Sequence, residues 1–306
     1  MPASVIIPAY RAAATIAQTV RAAHQIPGVS EVIVVDDGSD DGTPDSLKSL
    51  KDARVQVLEL SRNFGHQAAL TAGMDATNGD IVITMDGDGQ HPPEMIPQMI
   101  DLVRQGYDVI QTQRMDEAQP ASFKKWTSGL FYRLINSISG TRILPGTADF
   151  RAMSRQAVDA LKAMPEYHRF LRGMVSWIGF STVILPYQPA KRISGTSKYS
   201  FSKMFRLAMD AIFSFSLMPL YIGLSMGGLL LFLALLEMIY VLSFWVTGRT
   251  SNLAPGWSSL MFVILIVGGI LMVLLGFIGV YVGYIFQEVK RRPVYLVKKG
   301  EMREND

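Results

Sequence analysis

Four short stretches in the first third of the chain are dominated by apolar, β-branched residues: 4–8, 31–35, 55–60 and 81–85. Runs of this kind, bounded by turn residues, predict buried strands. Segments with helical character lie between them. Ile16 and Val20 share one face of a helix over 13–24, and Ala68, Ala69, Ala72 and Ala76 put small residues on one face of 67–77. A helix is expected to start near Thr43-Pro44, another over 93–105, and a strand over 108–112. Strands alternating with helices of about a dozen residues predict a doubly wound, largely parallel α/β sheet.

The pattern then changes. Phe123, Trp126, Leu130, Phe131, Leu134, Ile135 and Ile138 fall at helical spacing beside Lys124, Lys125 and Arg133. That is either a core helix or an amphipathic helix lying on a membrane surface; a second such helix is expected near 200–213. Residues 217–246 are apolar except for Glu237, and 260–286 carry no charge. Each exceeds the ~20 residues that span a bilayer, which predicts a two-helix transmembrane hairpin. The link between them holds one basic residue, Arg249, whereas both outer flanks are rich in Lys and Arg. The positive-inside rule then puts both termini in the cytoplasm. The expected organisation is a cytoplasmic catalytic domain over 1–210, a membrane hairpin over 211–288, and a basic cytoplasmic tail over 289–306.

Composition narrows this only a little. The 306 residues are 49% hydrophobic, in keeping with a membrane part. With no cysteine, disulfides and thiolate metal sites are excluded. A net charge of +3 gives no reason to expect a nucleic-acid partner. The start of the chain lacks a basic n-region and a long apolar run, so no signal peptide is expected there.

Candidate chemistry sits where apolar runs stop. The run at 81–85 ends in Asp86-Gly87-Asp88-Gly89-Gln90-His91-Pro92-Pro93-Glu94. Two carboxylates one residue apart at a strand tip suit a hard divalent cation, which takes one or two carboxylates plus substrate phosphates. Strand tips are also where open α/β sheets bind ligands. The plain alternative is a solvated Asp-Gly turn. The run at 31–35 ends in Asp36-Asp37-Gly38-Ser39-Asp40-Asp41-Gly42-Thr43. An EF-hand is rejected, because a strand precedes it and Lys48 stands at position twelve. A helix-capping turn and a nucleotide site both remain open. Neither G-x-G-x-x-G nor G-K-[ST] follows the first strand, so a glycine loop is not the expected phosphate binder. Lys191-Arg192-Ile193-Ser194-Gly195-Thr196-Ser197-Lys198-Tyr199 reads as a phosphate-binding loop or as a solvated linker.

Several motifs in this order resemble the family 2 glycosyltransferases of GT-A (Rossmann-like) fold. They are Val5-Ile6-Ile7-Pro8-Ala9-Tyr10, Val34-Val35-Asp36-Asp37-Gly38-Ser39, Asn63-Phe64-Gly65, the 85–94 segment and Gly195-Thr196-Ser197-Lys198-Tyr199. The resemblance is to the polyprenyl-phosphate group, which includes bacterial undecaprenyl-phosphate glucosyltransferases and dolichyl-phosphate mannose synthases. It implies that Pro8, Tyr10, Asp36, Asp37 and Asp86 bind a UDP- or GDP-linked sugar. It implies Mg²⁺ or Mn²⁺ at Asp86, Asp88 and Gln90, and catalytic roles for Asp88 and Asp149, the latter sometimes assigned as a base. It implies that Arg114, Arg133, Ser137, Arg192 and Lys198 receive the phosphate of a polyprenyl acceptor at the cytoplasmic face of the inner membrane. A homo-oligomer, a tetramer, is also implied. Arg11-Ala12 stands where the family often has Asn-Glu, and Thr196 where Glu is common. The expected reaction is inverting transfer of a hexose from UDP-glucose to undecaprenyl phosphate. GDP-mannose is the alternative donor. A processive polysaccharide synthase would need more membrane helices and a Q-x-x-R-W motif, and a non-catalytic scaffold would have no use for acidic strand tips.

Overall fold

The computed structural model describes residues 1–50, 52–115, 147–188, 218–248 and 256–299. The amphipathic helices expected over 122–139 and 200–213 lie outside the described residues. The chain divides into two compact units, Met1–Leu207 with Arg291–Asp306, and Ala208–Lys290.

In the first unit, β1 (Ala3–Ala9) is buried along its whole length. It pairs in parallel with β2 (Val29–Asp36) on one side. Helix α1 (Ile16–His24) connects them, burying Ile16, Thr19, Val20 and Ala23, one stripe at i, i+3, i+4, i+7. After α2 (Thr43–Lys48), β3 (Val55–Leu60) adds in parallel to β2. Helix α3 (His66–Ala76) follows. It comes close to the sheet because Gly73 has no side chain: a Cβ there would collide with Ile6. Then β4 (Ile81–Thr84), wholly buried, pairs in parallel with the other side of β1. Strands buried on both faces carry unbroken apolar runs, which is why these were readable.

The helix expected over 93–105 is divided. A 3₁₀ turn at Pro93–Met95 precedes α4 (Ile96–Arg104). Pro97 has no N–H to return to the Pro93 carbonyl, so a continuous α-helix from Pro93 would lack its first bond.

The second half of the sheet is mixed. β5 (Val109–Arg114) and β4 are both antiparallel to β6 (Thr147–Ser154), which runs between them. Ser154 ends β6 and caps α5 (Arg155–Lys162), its hydroxyl accepting from the Ala157 N–H at 3.2 Å. After α6 (Leu171–Trp177), β7 (Thr182–Tyr187) pairs in parallel with β5. The described strands make one eight-stranded sheet in the order β7-β5-β6-β4-β1-β2-β3-β8.

The other edge is closed by the tail. β8 (Val297–Lys299) pairs antiparallel with β3, and the Ser61 N–H donates to the Leu296 carbonyl at 2.8 Å. Tyr295 donates its hydroxyl to Asp75 Oδ2 at 2.9 Å, tying the tail to the last turn of α3.

The second unit contains α7 (Met218–Val246) and α8 (Trp257–Val289). Gly223 is buried where they meet, and a Cβ there would collide with Leu274. Small residues at such crossings let helices approach closely. Within α8, Ile266–Val289 is long and apolar enough to cross a bilayer. Among the described residues of α7 the apolar stretch is the shorter Leu220–Leu230.

Candidate active site

The register of β4 and β6 organises the site. Ile81 faces Ser154, and the pairing continues to Thr84 opposite Arg151. Carried two residues further, the same register sets Asp86 against Asp149. Two carboxylates far apart in the sequence are thereby brought together. Like charges opposed across a strand pair are destabilising, so the cations around them matter.

Asp149 is surrounded by three. Arg172, on α6, contacts both its oxygens, Nε to Oδ1 at 3.0 Å and Nη2 to Oδ2 at 2.9 Å. Arg151 Nη2 donates to Oδ1 at 2.7 Å from within β6. His66 Nε2, on the first residue of α3, lies 3.5 Å from Oδ2. Burial pushes the Asp149 carboxyl up, but the two guanidiniums and His66 outweigh it and hold the group well below the usual carboxylate range. The anion is therefore a poor proton acceptor.

Asp86 is half-buried and lies between two imidazoles. His66 Nε2 is 3.6 Å from its Oδ1, and His91 Nε2 is 3.7 Å from its Oδ2. The Asp86 N–H donates to His91 Nδ1 at 3.0 Å, which fixes the His91 tautomer with its proton on Nε2. His91 is buried, stacked on Phe150 with ring centroids 4.9 Å apart. Partial desolvation opposes a charge on His66, whose side chain is still 40% exposed, but Asp149 and Asp86 outweigh it and raise its pKa.

The segment between the carboxylates is pressed onto α1. Thr15 Oγ1 donates to the Gly87 carbonyl at 2.8 Å. A Cβ on Gly87 would lie 3.2 Å from both the Pro8 carbonyl and Ile16, so glycine is what lets the acidic tip sit this close to β1. Asp88 closes the turn, its Oδ1 accepting the Gln90 N–H at 3.1 Å.

Tyr10 is exposed at the end of β1, with the Arg11 guanidinium 5.4 Å from its ring centre. Pro8 is inside β1, two residues beyond the end of the β1–β4 register at Ile6. Asp36 and Asp37, the residues expected to offer oxygens to a nucleotide, are both buried and accept from backbone donors. Asp36 accepts from the Ser39 N–H at 3.1 Å, and Asp37 accepts from Phe64 and Gly65 at 2.7 and 2.9 Å. Desolvation in that position raises both of their pKa values, the N–H donors partly offsetting it. Asp37 is a strut joining the loop after β2 to the loop after β3. Arg114 is exposed at the end of β5. Arg133, Ser137, Arg192 and Lys198 lie outside the described residues.

Sequence reasoning gave no role to His66, His91, Arg151 or Arg172. The available signal was adjacency: His66 follows Asn63-Phe64-Gly65, His91 follows the acidic tip, and Arg151 follows Asp149 by two.

Residues 4–162 match the family described as Glycosyl transferase family 2. The chain belongs to that family. This glycosyltransferase is 38% identical over 312 residues to an uncharacterized glycosyltransferase of Bacillus subtilis (strain 168), covering 99% of this chain and 95% of that one. It is 36% identical over 309 residues to the SfII prophage-derived bactoprenol glucosyl transferase of Shigella flexneri, covering 98% of each. Among solved structures, mannosyl-3-phosphoglycerate synthase from Rubrobacter xylanophilus superposes with a TM-score of 0.51 at 16% identity, over 69% of this chain and 72% of that one. That likeness is one of fold.

Proposed function

We propose that this glycosyltransferase moves glucose from UDP-glucose to undecaprenyl phosphate, with inversion, at the cytoplasmic face of a membrane crossed by α7 and α8. The observation that carries the reading is similarity along 98% of the chain to the Shigella flexneri bactoprenol glucosyl transferase.

The donor side fits a divalent cation, Mg²⁺ or Mn²⁺. Among the described residues no group of three or more His, Asp or Glu side chains is arranged to hold a metal. Asp86 and Asp88 would supply two hard oxygen donors, the kind such an ion takes together with substrate phosphates. When bound there it neutralises charge building on the departing diphosphate. Gln90 flanks it, and Tyr10 offers an exposed ring beside the nucleotide.

The attacking oxygen belongs to the acceptor's phosphate monoester. Its second pKa is near ~6, so it is largely dianionic at neutral pH and needs no general base. The chemistry thus agrees with an Asp149 that is too well paired to take a proton. One phosphate oxygen forms the bond to the anomeric carbon while the bond from that carbon to the diphosphate breaks. Displacement from the opposite face turns an α-linked donor into a β-linked product. Arg114, Arg133, Ser137, Arg192 and Lys198 are assigned to the lipid phosphate in this reading.

The test is a donor screen on membranes holding the full chain and added undecaprenyl phosphate, with and without chelator. The expected product is β-glucosyl lipid phosphate, formed from UDP-glucose and lost in chelator. An α-linked product, preference for GDP-mannose, or undiminished turnover in excess chelator would each overturn the proposal.

A further inference from the structure

We propose that His66 is a positioning residue: it holds the metal-side carboxylate of Asp86 in place by bridging it to the immobilised Asp149. The inference rests on the reading that Asp86 is a metal ligand.

Three observations converge. First, the β4–β6 register, whose last pair is Thr84 with Arg151, sets Asp86 opposite Asp149 when carried two residues further. Two facing carboxylates repel and would swing apart unless a hydrogen-bonding group lay between them. His66 Nε2 does, 3.6 Å from Asp86 Oδ1 and 3.5 Å from Asp149 Oδ2.

Second, His66 is itself fixed. Asp37 holds the Phe64 and Gly65 N–H groups, and Gly65 takes φ 101 to turn the chain into α3 at His66. On the far side Asp149 cannot move, because Arg151 and Arg172 engage both its oxygens. The imidazole is therefore anchored through its backbone and through a carboxylate.

Third, Asp86 is gripped from its other side as well. His91 accepts its N–H and faces its second oxygen. With an imidazole at each oxygen, the carboxylate plane is set before any ion arrives. Groups of this kind, which touch a ligand without touching the metal, tune affinity: losing one typically costs about 10- to 100-fold.

The experiment uses the full chain in detergent and measures Mn²⁺ affinity by electron paramagnetic resonance with UDP present. Turnover is followed as Mn²⁺ is raised. His66→Ala is expected to weaken Mn²⁺ by about 10- to 100-fold and to lose turnover that excess Mn²⁺ largely restores. The KM for the lipid acceptor should stay unchanged. His66→Gln, whose amide nitrogen can stand near the place of Nε2, should recover most of the affinity. Should His66→Ala fail to fold, His66→Gln against His66→Leu decides, Leu being expected to lose affinity and Gln to keep it. Mn²⁺ affinity within twofold of the parent in every His66 variant that folds overturns the inference. Asp86→Asn is the control for the reading beneath it. If that variant binds Mn²⁺ normally, the metal assignment falls and the inference falls with it; if it loses Mn²⁺ while the His66 variants do not, only the inference falls.

Discussion

Arg172 grips Asp149 side-on, Nε on one oxygen at 3.0 Å and Nη2 on the other at 2.9 Å. Arg151, also buried, adds a third bond at 2.7 Å. Breaking a buried ion pair from one side leaves charge without compensation and costs about 3–5 kcal/mol. Asp149→Asn should therefore lower the melting temperature of the catalytic unit by about 10 °C, at ~2–4 °C per kcal/mol for a domain of this size. A base deleted from an otherwise intact site would instead lose turnover with no change in melting. Thermal melts beside initial rates separate the two outcomes.

The same pair sets a pH dependence. The folded carboxyl titrates below its unfolded value of about 3.9. Its stabilisation is complete above that unfolded value and is lost as pH falls through the depressed folded one. Melting temperature between pH 5 and 8 should carry no contribution from Asp149 titration. Below about pH 4 the parent should lose stability more steeply than Asp149→Asn, which has no such proton to take up. Parallel slopes down to pH 2 would refute the assignment.

These relationships explain what could be read from sequence. β1 and β4 were legible because each is buried on both faces and so is apolar at every turn of the pleat. The acidic tip was legible because Asp86 and Asp88 interrupt such a run. Asp149 was different. It lies in a strand with Arg151, and the partners that make a buried Asp-x-Arg tolerable come from position 66 and position 172. No local pattern announces a pairing across that distance. The strand's direction, which alone sets Asp149 against Asp86, has no signal in the residues themselves. β8 was equally silent: three residues, two of them lysines, become a strand because β3 presents an open edge.

Gly38 and Gly65 test the strut formed by Asp37. Gly38 has φ 65, and a Cβ on it would come within 2.7 Å of the Asn63 nitrogen, backbone that has no room to yield. Gly65 has φ 101, but a Cβ there meets nothing within 4 Å. Gly65→Ala should cost the strain alone, about 1–3 kcal/mol. Gly38→Ala should cost more, since strain and collision add. Denaturant midpoints that rank them the other way would show that the two loops are not packed as described.

Tyr295→Phe probes the tail. Burial, and then the charge of Asp75, hold the Tyr295 phenol above its usual range, so it remains a donor at any working pH. Removing the hydroxyl should cost about 1 kcal/mol. The loss should be local: hydrogen exchange should quicken over 295–299 and at Ser61, whose N–H meets the Leu296 carbonyl, while β1 stays protected. Uniform quickening across the sheet would mean that the tail supports the whole domain.

Asp88→Asn should behave unlike Asp149→Asn, and the contrast isolates the metal. The Asp88 side chain closes its turn by accepting the Gln90 N–H through one oxygen. An asparagine keeps an oxygen for that bond, so the turn should survive and melting should shift by no more than about 2 °C, as for a substitution near ±0.5 kcal/mol. What the amide lacks is the charge a divalent ion requires. Turnover should fall by about 100-fold or more at Mn²⁺ levels that saturate the parent, because removing electrostatic stabilisation of a leaving group costs on the order of 2.7–4 kcal/mol. Two carboxylates one residue apart, neutralised in turn, would thus report on the ion, while Asp149 reports on the scaffold that holds them. If Asp88→Asn kept parental turnover in limiting Mn²⁺, the acidic tip would be only the Asp-Gly turn that its sequence also permits.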